Sequence, residues 1–96
     1  MWLLLRKRTL ANGFVLRFYR NGGWQEVDGN GVEIPGPVLY DLLPGAILTY
    51  VAQEYPDASI VEISQHSYGY EVNLETQPEV KLKFNRDGGI ITEIVD

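Results

Sequence analysis

Leu82-Lys83-Phe84-Asn85-Arg86-Asp87-Gly88-Gly89 repeats a pattern met earlier in the chain, Leu16-Arg17-Phe18-Tyr19-Arg20-Asn21-Gly22-Gly23, at an offset of 66 residues. In both copies an alternating strand runs into an Asn/Asp-Gly turn, and an apolar strand follows from Trp24 or from Ile90. Asn and Gly tolerate positive φ, so such turns close hairpins. Next to this turn, Tyr70, Val72 and Leu74 alternate with Glu71, Asn73 and Glu75, and Val80, Leu82 and Phe84 alternate with Lys81 and Lys83. Side chains alternate between faces along a strand, so each run has one apolar face. The register then follows from parity. An odd loop, Thr76-Gln77-Pro78, sets Leu74 opposite Val80, Val72 opposite Leu82 and Glu71 opposite Lys83, whereas an even loop would set apolar against charged residues.

The same reasoning applied to Asn12-Gly13 as a two-residue turn sets Thr9 against Leu16, Lys7 against Phe18, Arg8 against Arg17 and Arg6 against Tyr19. Between the two echoes lies a helical pattern: Leu39, Leu43, Ile47, Val51 and Tyr55 recur every four residues. Pro44 interrupts it by removing a backbone donor and disfavouring helical geometry at Leu43. The spacing predicts a short helical turn near 37–42, then the main helix from Pro44 to about Tyr55 with Pro44 at its first position. A strand over 58–65 follows. The order predicts an α+β domain, one main helix packed on a curved, mostly antiparallel sheet. Residues 1–96 read as a single domain, with 1–31 resembling the tail of a first repeat and 32–96 a full helix-plus-sheet repeat.

Charge is segregated. The chain carries 8 Lys and Arg against 13 Asp and Glu, a net charge of −5. Arg6, Lys7, Arg8, Arg17 and Arg20 precede every acid, while residues 21–80 hold no Lys or Arg. An acidic chain is a poor nucleic-acid binder, and no nucleic-acid partner is expected. The basic segment is served either by cross-strand pairing within the molecule or by an anionic partner, including an acidic surface of a second copy. No stretch is long enough for a membrane span. Trp2–Leu5 is apolar, but Arg6-Lys7-Arg8 follows it, the reverse of a signal peptide's order.

These positions also carry a resemblance. Ile34-Pro35, Leu43-Pro44, Ile47, Tyr50-Val51, Tyr55-Pro56 and Ile60, followed by Gly69-Tyr70-Glu71-Val72 and by Phe84 with Asp87-Gly88, resemble the β-lactamase-inhibitor-like, PepSY-like domain family of secreted bacterial proteins. The resemblance covers roughly residues 32 to 96, with a half-repeat at 14 to 30. It implies a helix on a curved antiparallel sheet, a periplasmic or extracellular location and a protein partner. It carries over no catalytic residue.

Read for chemistry, the chain offers little. His66, in Gln65-His66-Ser67-Tyr68-Gly69, has serines near it but no acid to orient it, so it reads as a solvated loop histidine rather than a base. Asp28-Gly29-Asn30-Gly31-Val32-Glu33 has oxygens at alternate positions, but it is too short for a calcium loop and reads as a turn. No cysteine is present for a thiolate metal site. We expect no enzyme, no cofactor and no metal. Tyr19 and Tyr68 are the expected exposed aromatics, and Arg17, Tyr19, Tyr68, Lys81 and Lys83 form the candidate partner-binding set. The expected function is that of a non-enzymatic protein-binding module, an inhibitor or sensor of an extracytoplasmic protein. The alternative is a self-assembling unit, a homodimer joined through residues 2–20, with Leu3, Leu5, Arg6, Arg8 and Phe14 in the interface.

Overall fold

The computed structural model describes the backbone of residues 4–9 and all of residues 13–96. Seven strands form one open antiparallel sheet in sequence order: β1 (Leu4–Thr9), β2 (Val15–Tyr19), β3 (Trp24–Asp28), β4 (Ser59–His66), β5 (Gly69–Glu75), β6 (Val80–Asn85) and β7 (Ile90–Val95). Two helices, α1 (Gly36–Leu42) and α2 (Gly45–Glu54), fill the connection from β3 to β4. The fold is α+β: α2 is the main helix expected from Pro44 to about Tyr55, and the short helical turn expected near 37–42 is a second helix, α1. Pro44 explains the break: it stands outside α2 as its N-cap, with φ −56° and ψ 141°, and Leu43 before it is extended. The helices therefore turn at the residue that cannot donate a backbone hydrogen bond.

Alternation builds the core. A single apolar row crosses the sheet through successive pairings, Leu16 to Val27, Val27 to Ile63, Ile63 to Val72 and Val72 to Leu82. Ile47 and Val51 of α2 join the same buried cluster as Val72, Leu74, Leu82 and Phe84. The β5–β6 register is the one parity demanded, with Leu74 opposite Val80, Val72 opposite Leu82 and Glu71 opposite Lys83.

The N-terminal hairpin differs from expectation by one residue. Thr9 pairs with Val15, Arg8 with Leu16, Lys7 with Arg17 and Arg6 with Phe18. A two-residue turn at Asn12-Gly13 would have drawn Phe14 into the strand. Phe14 instead lies just before β2, where it is 8% exposed and part of the core.

The sequence echo is matched in the backbone. A β-bulge falls between Arg17 and Phe18 and again between Lys83 and Phe84. Tyr19 N–H donates to the Gly23 carbonyl at 2.7 Å, and Asn85 N–H to the Gly89 carbonyl at 2.8 Å. Gly22 and Gly88 share a φ of 93°. Their surroundings diverge. A Cβ at Gly88 would stand 2.9 Å from Ala46 Cβ and 3.4 Å from Pro44 Cβ, whereas one at Gly22 would meet nothing within 4 Å. The second turn thus braces the start of α2, and only glycine allows so close an approach.

Candidate functional site

The face of the sheet opposite the helices presents the second set of alternating side chains. One row runs through Arg17, Glu26, Ser64, Glu71, Lys83 and Thr92. The adjacent row runs through Val15, Asp28, Glu62, Asn73, Lys81 and Ile94. Acids occupy the middle of this face, with Arg17 on one side and Lys81 and Lys83 on the other.

Three of the acids converge. Carboxylate oxygens of Glu26, Asp28 and Glu62 lie within 4.8 Å of one another. Glu62 shares a hydrogen bond with Glu26, is half-buried and faces the charges of Glu26 and Asp28. Together these push its pKa up to about 8, against the opposing effect of the Asn73 hydrogen bond. Asn73 Nδ2 donates to Glu62 Oε1 at 3.1 Å, and Arg17 Nε lies 3.2 Å from Glu26 Oε1. Among the described residues this is the group close enough to hold a cation. Bound through one oxygen each, the three carboxylates would supply half or fewer of the roughly six to eight oxygens calcium takes. The Asp28–Glu33 stretch itself is a turn: Asn30 N–H donates to Asp28 Oδ1 at 2.8 Å, and Asn30 has a φ of 54°.

On the other side of the face Lys81 Nζ lies 3.6 Å from Glu71 Oε2. Tyr68 stands at the β4–β5 turn with 37% of its surface exposed. Its ring stacks on His66 at 5.1 Å between centroids and 2° between planes, and Lys83 Nζ lies 5.9 Å from its centre. Partial burial, then Glu71, raise the Tyr68 pKa.

His66 is not in a loop, contrary to expectation. It ends β4 and pairs with Gly69, leaving Ser67-Tyr68 as a tight turn. The fold also brings it an acid that sequence order hid. Ser64 Oγ lies 2.8 Å from His66 Nε2, and Glu71 Oε1 lies 4.0 Å from the same nitrogen. A nucleophile–base–acid relay needs the hydroxyl and the carboxylate on opposite ring nitrogens. Here both approach Nε2, so this trio is not a triad.

Of the candidate partner-binding residues, Tyr68, Lys81 and Lys83 gather around Glu71, and Arg17 joins the acid cluster on the same face. Tyr19 departs. It is half-buried rather than exposed, and its hydroxyl donates to the Gln65 carbonyl at 2.6 Å. The most exposed described aromatic is Tyr40 on α1, at 74%. Of the candidate dimer residues, Phe14 is withdrawn into the core and offers no free surface. Leu3 lies outside the described residues. Leu5, Arg6 and Arg8 are placed in β1 by backbone alone.

Asp28 was weighed only within the Asp28–Glu33 turn, and its grouping with Glu26 and Glu62 was not read from the sequence. The alternation of Glu26 and Asp28 put both on one face, but their meeting with Glu62 depends on β3 pairing with β4 across both helices.

A family model described as "Putative beta-lactamase-inhibitor-like, PepSY-like" matches residues 6–92. Among solved structures, a putative periplasmic protein of unknown function from Bacteroides vulgatus has a TM-score of 0.79 at 28% identity, over 92% of this chain and 65% of its own. A putative calcium-regulated periplasmic protein from Bacteroides thetaiotaomicron has a TM-score of 0.75 at 32% identity, over 88% of this chain and 61% of its own. A third, another putative periplasmic protein from Bacteroides vulgatus, has a TM-score of 0.74 at 30% identity, over 92% of this chain and 72% of its own. The chain thus spans less than two-thirds of the length of the first two. No curated protein matches it.

Proposed function

The chain belongs to the β-lactamase-inhibitor-like, PepSY-like family, and from that premise we propose that it is a non-enzymatic protein-binding module working outside the cytoplasm, an inhibitor or sensor of an extracytoplasmic protein. The relatives described as periplasmic support the location. No described helix is long and apolar enough to cross a membrane. The observation that carries the binding role is Tyr68, an exposed ring on the helix-free face held between His66 and Lys83. A ring fixed before contact loses little rotamer freedom on binding, and tyrosine is a favoured anchor at interfaces.

Retention of proteins from a Bacteroides periplasmic extract tests this. A partner held by the wild-type chain and by Tyr40→Ala, but lost with Tyr68→Ala, supports the reading. A partner lost with Tyr40→Ala and kept with Tyr68→Ala moves the site to the helices and refutes it. The family description makes a purified β-lactamase the first defined partner to titrate.

Self-association is the second reading. β7 has a described strand on one side only, and Ile90, Ile91, Ile94 and Val95 are all exposed there. An apolar strand edge is a template for another strand. A homodimer formed there would differ from the one expected through residues 2–20. Light scattering over a dilution series distinguishes it from a monomer, and Ile91→Lys would abolish it.

A further inference from the structure

The turn end of the sheet holds a second feature, which borders the Tyr68 corner at His66. The β2–β3 turn, the β4–β5 turn and Arg86 enclose an open cleft of about 460 Å³, lined by Tyr19, Asn21, Gly23, Gln65, His66, Ser67 and Arg86. The volume is in the range of small-ligand sites. No carboxylate lines it, in a chain that carries five more acids than bases.

Arg86 is held in place from three directions. Its Nη1 donates to Gln65 Oε1 at 3.1 Å, its Nη2 donates to the His66 carbonyl at 2.9 Å, and its guanidinium lies 5.8 Å from the centre of the Tyr70 ring. Gln65 is itself fixed, since its Nε2 donates to the Trp24 carbonyl at 2.8 Å and its own carbonyl accepts the Tyr19 hydroxyl. Trp24 in turn stacks on Tyr70 at 6.2 Å. Both acceptors on Arg86 are neutral, and among the described residues no carboxylate comes within salt-bridge distance of it. Two of the roughly five guanidinium N–H donors are used in holding the group, and the others remain. Asn21 adds a donor: its Oδ1 accepts from Gly23 N–H at 2.8 Å, which leaves its amide NH₂ uncommitted. Ser67, exposed, also lines the cleft.

We propose that this cleft binds a carboxylate group, received by the Arg86 guanidinium with Asn21 and Ser67 donating at its margin. A planar, pre-oriented guanidinium matches the two oxygens of a carboxylate. The cleft shares His66 with the Tyr68 corner of the outer face, but the inference is carried by Arg86 and does not rest on the protein-binding role proposed for that face. The carboxylate comes from a small free acid or from an acidic side chain of a peptide, and the two are separable by experiment.

¹⁵N NMR titration of the full chain with three probes decides: succinate, an acetylated and amidated Gly-Glu-Gly peptide, and the Gly-Gln-Gly counterpart. The expected result is saturable shifts at Asn21, Gly23, Gln65 and Ser67 and at the Arg86 Nε–H with at least one carboxylate probe, and none with the glutamine peptide. The tighter of succinate and the glutamate peptide names the source. Arg86→Gln should bind at least about tenfold more weakly, with the remaining spectrum unchanged. Arg86→Lys, which keeps the charge and loses the fork, should also bind more weakly. Equal shifts from the glutamate and glutamine peptides, no saturable shift with either carboxylate, or undiminished binding by a folded Arg86→Gln would overturn the proposal.

Discussion

Glu71 stands directly opposite Lys83 across the β5–β6 ladder, yet its carboxylate pairs with Lys81, the diagonal neighbour, at 3.6 Å. Lys83 is thereby left to lie over Tyr68. This division of labour fixes the exposed corner of the helix-free face. The Lys81–Glu71 pair is partly exposed and contributes modestly to stability. Lys83→Ala should change stability by less than about 0.5 kcal/mol. It should weaken partner binding if the corner is the anchor, which titration of the same partner against wild type and variant measures.

Core packing makes a larger prediction. Ile47 and Leu82 are fully buried in one cluster. Truncation of either to alanine should cost about 2–4 kcal/mol by leaving a cavity. Chemical denaturation measures it, and a loss below about 1 kcal/mol at both positions would contradict the packing of α2 on the sheet.

The two echoed turns should respond unequally to the same change. Gly22→Ala places a side chain at positive φ in open space and should cost about 1 kcal/mol. Gly88→Ala adds a contact with Ala46 and should cost about 2–4 kcal/mol. Equal losses in thermal or denaturant melts would mean that the second turn does not brace α2.

The acid cluster sets a pH dependence. The ordinary carboxyl value of 4.5 for Glu62 is raised to about 8 in the folded chain. The folded state therefore holds the proton more tightly than the unfolded state. The Glu62 contribution to stability is complete below pH 4.5 and is lost as pH rises through about 8. Glu62→Gln removes this loss, since the amide stays neutral beside Glu26, Asp28 and Asn73. Its gain over wild type at pH 9 should be about 1–2 kcal/mol after allowance for solvent screening, and should vanish at pH 4. A gain that does not change between those pH values would contradict the shared-proton description.

What the sequence made legible follows the same physics. The β5–β6 register could be read because every alternate residue from Tyr70 to Leu74 and from Val80 to Phe84 is apolar, so only one parity buries them. The N-terminal register could not, because Arg6, Lys7 and Arg8 put a charge on either face, and the turn had to be guessed from Asn12-Gly13. Phe14 alternates with Leu16 and Phe18 and is buried as that pattern suggests, but from a position just before β2, so its burial did not fix the turn. Pro44 announced the helix break in advance. The Glu26–Asp28–Glu62 cluster and the Ser64–His66–Glu71 approach were hidden because each depends on a neighbouring strand's register. The Arg86 cleft was hidden because it joins three separate turns and strand ends that have no local pattern in common.

Amide hydrogen exchange on a complex with the retained partner locates the binding surface. New protection is expected over Gln65–Glu71 and Lys81–Lys83, with α1 and α2 unchanged from the free chain. Protection confined to Gly36–Glu54, with Gln65–Glu71 exchanging as before, would contradict it.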